Sequence, residues 1–522
     1  MYFRSTNLHA ITTIFLCCLC FVLFSRYYKR SPSTVPDVAT TQRSATNVTV
    51  PDAYLRLLIP ATSSNKYLCQ LLLSAAILDY PAPTLINWEA KENQNQYIQH
   101  LAKVSKVLDH LKTLPPSNND DLVLIVDGYD VWFQLRPDVL VRRYFAVKKA
   151  ADLRADSELG VDVAKEHDVR HTVIFGPDKL CWPAGGGRRP ACWAVPQSPL
   201  PMNAFGTFDD TEVVLAAKNA FQARARWLNS GTIMGTVSDV RSVFEATLKS
   251  INANHTTDSD QFYIANLFGE QEYARKLLKK EPNLPPLGSV DTPTIEQGKK
   301  YEYHMALDYE SALFQNAGYY VRWIAWLWFD GFKGHRKRLP PKDLHGFVLP
   351  EDIAASPPPF SAEKRGYWVA GDGHNATEVK NVTTDLPLEL SWKDLPLATN
   401  TITQQTFPVM HFTFEKKRRD QWWQQMWYYP YVRQLLHASV RAPENPISNM
   451  PIEGRMWWGT EGSHLALGDE KRKSKTGVRG GAWSDQGKWV SWDDMCMAHD
   501  EGVFSTEPDY YIPRKHHPRG SL

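Results

Sequence analysis

The N-terminal half of the globular region alternates short apolar runs with longer stretches that repeat apolar residues at helical spacing. Residues 54–60 (YLRLLIP) form a run that ends at proline, and residues 67–77 follow with a helical pattern. A second helical pattern covers residues 98–114, and the aliphatic residues 122–126 come after a polar turn. An unbroken aliphatic run is typical of a strand buried on both faces. The alternation predicts an α/β fold whose ligands bind at the carboxyl ends of its strands.

The C-terminal half has weaker patterns. Residues 319–328 (YYVRWIAWLW) are too few to span a membrane. We interpret them as core, and an exposed acceptor-binding surface is the alternative. The proline-rich residues 333–399 indicate an insertion or long loops. We therefore predict a domain at residues 54–440 with an insertion around 320–400, followed by a tryptophan-rich extension at 441–522.

An uncharged segment near the N terminus predicts a membrane anchor. Residues 8–24 are dense in Ile, Leu, Phe, Val and Cys, and Arg4 and Arg26 flank them. Such a segment is long enough to cross a bilayer. We predict an uncleaved signal anchor at residues 1–30 and a flexible stem at 31–53, with a cleaved signal peptide as the alternative. The flanking positive charge, taken alone, would place the C-terminal side in the cytoplasm.

Charge and composition exclude one class of partner. The 522 residues include 59 basic and 57 acidic ones, and the basic residues are dispersed rather than gathered in a stripe. This distribution argues against a nucleic-acid partner. Hydrophobic residues make up 43% of the chain, which is enough for a large core. Asn-x-Thr sequons begin at Asn47, Asn254, Asn375 and Asn381 and are compatible with a lumenal placement.

Four cysteines lie outside the predicted anchor, at positions 69, 181, 192 and 496, and they allow three pairings. Cys181 and Cys192 are close in sequence, and the glycines at 185–187 between them let the chain double back. We predict a local disulfide between these two in an oxidising lumen. Two buried free thiols are the alternative.

The tetrapeptide Asp127-Gly128-Tyr129-Asp130 directly follows the predicted buried strand. Two carboxylates at a strand end suit a hard divalent cation that bridges phosphate oxygens, and the glycine lets the backbone approach a ligand. An acidic turn that closes the strand without binding anything is the alternative.

Further motifs follow in a recognisable order. They are Cys181-Trp182-Pro183, Leu228-Asn229-Ser230-Gly231, the segment 258–263 (DSDQFY), and His411 with Lys417 six residues later. With the acidic pair they resemble the glycosyltransferase domains of the procollagen-lysine hydroxylase/glycosyltransferases and, more distantly, of the procollagen galactosyltransferases. The resemblance implies a GT-A-like nucleotide-sugar-binding fold, a Rossmann-like mixed sheet flanked by helices.

The resemblance also assigns roles to individual residues. It implies that Asp127, Asp130 and His411 hold Mn²⁺ against the diphosphate of a UDP-sugar, and carboxylates with an imidazole suit that ion. His304 is the rival ligand, but it lacks a lysine six residues on. The implied donor contacts are Thr62, Lys103, Tyr129, Trp182, Asn229, Gln261 and Lys417. Asp260 is the candidate acceptor base.

The function implied is a metal-dependent hexosyltransferase that uses a UDP-sugar and a protein or glycan acceptor. Resemblance to lumenal enzymes outweighs the flanking charge, so we expect a single-pass type II protein of the Golgi or ER membrane. Thr413 and Ser259 depart from the family pattern. They motivate a second hypothesis, an inactive lumenal carbohydrate-binding or scaffold protein, and a nucleotide-sugar hydrolase is a third. The sequence leaves both an inverting and a retaining reaction open.

Overall fold

The computed structural model describes residues 50–90, 96–183, 187–254, 258–279, 284–285, 288–329, 346–360, 386–387, 389–441, 446–459 and 480–504. The predicted anchor, the stem up to residue 49, and the sequons at Asn47, Asn375 and Asn381 lie outside these residues. In the described part of the chain, no helix combines the length and the apolar character that crossing a membrane requires.

The described chain is a mixed α/β structure. Its strands are β1 (Asp52–Pro60), β2 (Thr84–Ile86), β3 (Leu122–Val126), β4 (Val131–Phe133), β5 (Val173–Asp178), β6 (Trp227–Thr236), β7 (Met305–Leu307), β8 (Phe314–Asn316), β9 (Ile324–Leu327), β10 (Leu397–Asn400), β11 (Val409–His411), β12 (Met456–Trp458), β13 (Gly481–Ser484) and β14 (Trp489–Ser491). Its helices are α1 (Lys66–Ile77), α2 (Gln96–Thr113), α3 (Pro137–Leu159), α4 (Val161–Glu166), α5 (Pro190–Trp193), α6 (Val213–Lys218), α7 (Val237–Asn254), α8 (Asp260–Leu277), α9 (Glu351–Ala354), α10 (Arg419–Trp423), α11 (Val432–Arg441), α12 (Trp492–Cys496) and α13 (Asp500–Val503).

The four N-terminal elements predicted from periodicity are confirmed as β1, α1, α2 and β3. All five residues of β3 are buried, because the strand lies inside a sheet that helices flank. The start of α1 follows from Asn65, whose side chain accepts hydrogen bonds from the backbone N–H groups of Tyr67 and Leu68. A side-chain oxygen at this position replaces partners that the first turn of a helix lacks.

The main sheet joins nine strands of the described chain in the order β14-β13-β2-β1-β3-β6-β5-β7, with β12 also paired to β1. Strands β1, β2 and β3 run parallel, whereas β6 is antiparallel to both β3 and β5. The sheet is therefore mixed. The carboxyl ends of β1 and β3 meet at one edge, where the turns after Pro60 and Val126 approach each other.

The predicted boundary near residue 440 does not divide the described structure. Strand β12 pairs with β1, and β13 pairs with β2, so the segment predicted as an extension completes the main sheet. Trp457 is buried within it. The sequence pattern hides this because the strands are short, and their partners lie about four hundred residues earlier in the chain.

A second, three-stranded sheet has the order β4-β11-β8. In it β11 runs antiparallel to β4 and parallel to β8, and His411 lies opposite both Val131 and Asn316. Strand β4 begins directly after Asp130. This pairing brings a late segment of the chain next to the acidic turn.

Both cysteine pairs of the described chain lie at disulfide distance. The predicted local pair, Cys181 and Cys192, has a Cα separation of 5.4 Å, and Cys69 and Cys496 are separated by 5.6 Å. The second pair connects α1 to α12. It therefore attaches the C-terminal segment to the core.

We expect peptide mapping of alkylated, unreduced protein to show both disulfides. Replacing Cys496 with Ser should lower the free energy of unfolding by about 2–5 kcal/mol, since the lost bond closes a long loop of the unfolded chain. Denaturant titration against wild-type protein measures this. Free thiols at both members of either pair, or an unchanged denaturation midpoint for Cys496→Ser, would contradict the assignment.

Candidate metal centre

Asp127, Asp130 and His411 converge at the carboxyl end of β3, as predicted. Each offers one ligand atom, and the three atoms lie within 4.8 Å of one another. The His411 Nε2 atom is 3.5 Å from Asp130 Oδ1 and 3.9 Å from Asp127 Oδ2. Two carboxylates and an imidazole are a donor set that divalent metal ions accept. This group could therefore bind a metal ion.

Each carboxylate of the cluster has one oxygen paired with a lysine and the other turned toward His411. Lys103 Nζ is 2.7 Å from Asp127 Oδ1, and Lys416 Nζ is 3.1 Å from Asp130 Oδ2. The lysines thus occupy the outer oxygens. The inner oxygens and the imidazole share the central space, which fits one cation.

The orientation of His411 is fixed by Asn316. Its Nδ1 atom lies 3.1 Å from the Asn316 side-chain oxygen, while the amide nitrogen of Asn316 donates to the Pro177 carbonyl and to Asp178. Since the amide nitrogen is used elsewhere, the oxygen faces His411 and accepts a hydrogen bond from the Nδ1–H group. The lone pair of a neutral imidazole is then on Nε2, which points at the two aspartates. An outer partner of this kind is typical of metal-bound histidine.

Gly231 leaves room for the centre. A Cβ atom at this position would lie 2.1 Å from His411 Cε1 and 2.7 Å from both His411 Nε2 and Asp127 Oδ2. Any other residue would therefore enter the space between the ligands. The same glycine is fixed by its carbonyl, which accepts a hydrogen bond from the Asp127 backbone N–H at 2.9 Å.

The electrostatics of the cluster favour charged groups in spite of burial. Burial raises the pKa of Asp130, but His411 and Lys416 outweigh it and hold that pKa below its usual range. Burial lowers the pKa of His411, but Asp130 and Asp127 outweigh it, so the net shift is upward. Without a cation, the imidazole is thus drawn toward its protonated form. A bound cation would take over this role.

Lys103 connects the metal centre to Asp260. Its ammonium lies 3.0 Å from Asp260 Oδ2, donates to the Ser230 carbonyl at 2.9 Å, and pairs with Asp127. Burial disfavours the charge of Lys103, but Asp127 and Asp260 raise its pKa above the ordinary value. The Ser230 hydroxyl also donates to Asp260 Oδ2 at 3.0 Å. The predicted residues Lys103 and Asp260 therefore belong to one network with Asp127 of the cluster.

Asp178, at the end of β5, is a carboxylate that sequence reasoning missed. Its two oxygens accept hydrogen bonds from the side-chain amides of Asn229 and Asn316, each at 3.0 Å. Burial raises the pKa of Asp178 to about 6, against the effect of these donors. The signal was available, because Asp178 ends the apolar run that precedes Cys181 just as Asp127 follows β3.

The side-chain amides of Asn229 and Gln261 take part in this hydrogen-bond network. The amide of Asn229 also donates to Gln261 Oε1 at 3.2 Å, and its own oxygen accepts from the Gly231 backbone N–H at 2.9 Å. Gln261 in turn donates to the Trp182 carbonyl at 3.5 Å. Both amides are buried, so in this structure they position their neighbours. Trp182, in contrast, is 49% exposed.

Tyr129 and Thr62 meet where the turns after β1 and β3 approach each other. The Tyr129 hydroxyl accepts from the backbone N–H groups of Thr62 and Ser63 at 3.0 and 3.1 Å and donates to the Ser63 carbonyl. Gly128 permits this close approach of the two turns, because a Cβ atom at this position would lie 2.5 Å from the Pro60 carbonyl oxygen. These bonds fix the half-buried Tyr129 ring beside the acidic turn.

Lys416, and not Lys417, contacts Asp130. Both lysines lie on a short 3-10 helix, Lys416–Arg418, but the one that reaches Asp130 is Lys416. Lys417 is exposed on the same turn. The register of this turn, which periodicity could not predict, decides which side chain faces the metal centre.

The rival ligand His304 lies in another place. It is held between Asp168 and Asp239, with Nε2 3.2 Å from Asp168 Oδ2 and Nδ1 3.3 Å from Asp239 Oδ1. Among the described residues, the only group with metal-ligand geometry is that of Asp127, Asp130 and His411. A cavity of about 1240 Å³ is also separate from this centre, since its lining shares none of the three ligands.

The arrangement could hold a divalent cation at a strand end, with Lys103 and Lys416 paired to the outer carboxylate oxygens. Comparison with protein-family models and with curated protein sequences finds no match for this chain.

We expect Gly231→Ala to weaken metal binding, because the added methyl group would displace His411 or Asp127. The loss should be about 10- to 100-fold, as for other changes around metal ligands. Titration calorimetry with Mn²⁺ as the probe measures it, and His411→Ala should lose more. The control is His304→Asn, which should bind Mn²⁺ like wild-type protein. Unchanged affinity in a folded Gly231→Ala protein would contradict the proposed geometry.

Metal binding should also weaken as the pH falls. A cation needs the neutral form of His411, and the protonated form is populated below the raised pKa of this residue. Competition by protons should therefore begin at a higher pH than for an ordinary imidazole, whose pKa is about 6.5. Mn²⁺ titrations in buffers of different ionisation enthalpy should show proton release on binding. A pH-independent affinity across this range would show that His411 is not a ligand.

Proposed function

We propose that the chain is a metal-dependent glycosyltransferase that moves a hexose from a UDP-sugar to an acceptor. The observation that carries the proposal is the convergence of Asp127, Asp130 and His411 at the carboxyl end of β3. Lys103 and Asp260 lie in the same network. A cation there would neutralise the charge that develops on a diphosphate leaving group.

The position of the cluster in the sheet supports a GT-A-like fold. Ligands of open α/β sheets bind outside the carboxyl ends of the strands. The turns after β1 and β3 provide Thr62 and Tyr129 at this edge, joined by the Tyr129 hydroxyl. In the proposal, the Tyr129 ring stacks on the uracil, and the backbone after β1 lies along the nucleotide.

The protein side chains have separable roles in the proposed reaction. When bound, a cation held by Asp127, Asp130 and His411 supplies neutralisation of the leaving diphosphate. Lys416 adds positive charge beside Asp130, and Lys417 lies exposed one residue further along. Lys103 holds Asp127 and Asp260 in fixed positions. In the proposal, the exposed Trp182 side chain lies beside the donor sugar.

Asp260 is the proposed base for an inverting transfer. It lies at the N terminus of α8, 3.0 Å from the Lys103 ammonium. A base would take the proton of the acceptor hydroxyl as that oxygen attacks the anomeric carbon. Ser259, where the sequence departs from the family pattern, does not remove the Asp260 carboxylate. Ser259 is the residue before the helix, and Asp260 itself faces the network.

A lumenal location is proposed on the same basis. Structural disulfides persist in oxidising compartments, and the two cysteine pairs at disulfide distance fit the Golgi or the ER. The anchor at residues 8–24 and the sequons outside the described residues belong to this proposal. The acceptor is a protein or a glycan that passes through the same compartment.

We expect UDP release from one UDP-hexose, tested donor by donor with Mn²⁺, to rise when an acceptor glycan is added. His411→Ala and Asp127→Asn should each reduce the rate by about 100-fold or more, because the cation contributes several kcal/mol to the transition state. His304→Asn is the matched control and should keep the wild-type rate.

The same assay separates the competing functions. UDP release that is metal-dependent but indifferent to every acceptor would identify a nucleotide-sugar hydrolase. Acceptor binding without UDP release from any donor would identify a carbohydrate-binding protein. In either case glycosyl transfer would be wrong for this chain.

A further inference from the structure

A row of aromatic rings that includes a residue of the turn after His411 reaches the surface. The Trp182 ring centroid lies 5.9 Å from that of Phe414, Phe414 lies 5.5 Å from Tyr319, and Tyr319 lies 5.4 Å from Phe221. The Arg322 guanidinium covers Phe221 at 4.3 Å. We refer to Trp182, Phe414, Tyr319 and Phe221 as the aromatic row. Phe414 is 53% exposed.

The two central rings originate from the strands that form the metal centre. His411 and Asn316 are paired in register on the parallel strands β11 and β8. Phe414 and Tyr319 each stand three residues beyond these strand ends. Because parallel strands leave a sheet at the same edge, the two rings leave the sheet together, each three residues beyond the paired His411 and Asn316. The two central rings of the row therefore lie on the turns that directly follow His411 and its partner Asn316.

The backbone of both Phe414 and Tyr319 adopts a conformation that costs free energy. Phe414 has φ 57° and Tyr319 has φ 63°, in the left-handed region that bulky residues rarely adopt. The Gly318 backbone N–H donates to the Thr413 hydroxyl at 3.0 Å, which locks the two turns together. Conformations of this kind persist where the surroundings enforce them, and they cluster at ligand sites.

The chemistry of the row fits a sugar ring better than an extended peptide. A peptide that adds to a sheet needs unpaired backbone groups at the edge. Here the Ala317 N–H donates to the His411 carbonyl, and the Gly318 N–H is bonded to Thr413. Ring faces carry negative charge, so they attract the weakly positive C–H face of a pyranose. Arg322 can donate hydrogen bonds to the hydroxyls of such a ring.

We propose that Tyr319 and Phe414 form a stacking subsite for a sugar ring of a carbohydrate acceptor. The inference deepens the proposed glycosyl transfer and rests on it for the role of the bound sugar as acceptor. It also gives Thr413 a function. The threonine that departs from the family pattern locks the turn that presents Phe414.

The test uses methyl β-glucoside, methyl β-galactoside and methyl α-mannoside as probes, with saturation-transfer NMR in metal-free buffer. We expect at least one glycoside to bind with its C–H face nearest the protein. Phe414→Asn and Tyr319→Asn should each weaken binding about 3- to 10-fold, the scale of aromatic contacts. Asparagine accepts positive φ, so these variants remove the ring without straining the turn. Phe414→Tyr keeps an aromatic ring at this position and should bind the glycoside like wild-type protein.

Controls separate this inference from the proposed function. Leu153→Asn, which removes an exposed apolar side chain on α3, should bind glycosides like wild-type protein. Phe414→Asn should keep the Mn²⁺-dependent affinity for UDP. The subsite is refuted if no glycoside binds, if the ring variants bind like wild type, or if an unglycosylated peptide binds at the rings while glycosides do not. Glycoside binding that needs both rings, without UDP release, would retain the subsite and reject the transfer.

Discussion

Mutual repulsion of closely spaced carboxylates is the constraint on which the site depends. Asp127 and Asp130 offer atoms within 4.8 Å of each other, and Asp178 and Asp260 lie in the adjoining networks. At an effective dielectric constant of about 20, two such charges repel by roughly 3 kcal/mol. A domain is stable by only about 5–15 kcal/mol. The fold must therefore bring cations to this edge, and it does so with Lys103, Lys416 and His411.

The three-stranded sheet positions two of these cations, His411 and Lys416, beside the acidic turn. Strand β4 begins at the residue after Asp130, and β11 pairs with it so that His411 lies opposite Val131. The turn that follows β11 then carries Lys416 over Asp130. A shift of one residue in this pairing would turn the His411 side chain to the other face of the sheet. Charge balance at the turn after β3 thus depends on the register of a segment nearly three hundred residues away.

The sequence predicts the parts of this arrangement that are local. The aliphatic run of β3 and the acidic turn after it could be assigned from their pattern, and family resemblance pointed to His411. Asn316 could not be assigned, because its role appears only when β8 and β11 lie side by side. Lys416 was missed for a similar reason: neighbouring lysines look alike until a turn fixes which one faces inward. The strands β12 and β13 were not predicted from the sequence, because short strands with distant partners leave little periodicity.

These observations also explain why a metal ion would stabilise the folded chain. In the structure, Lys416 and a His411 drawn toward protonation offset the charge of Asp130. Both are imperfect substitutes, since Lys416 is largely exposed and the imidazole must give up its proton to coordinate. A cation that binds the folded state alone adds its binding free energy to the stability of that state. The cluster therefore combines a local electrostatic cost in the folded chain with affinity for a divalent ion, and the hydrogen bond from His411 to Asn316 keeps Nε2 directed at the place where that ion would bind.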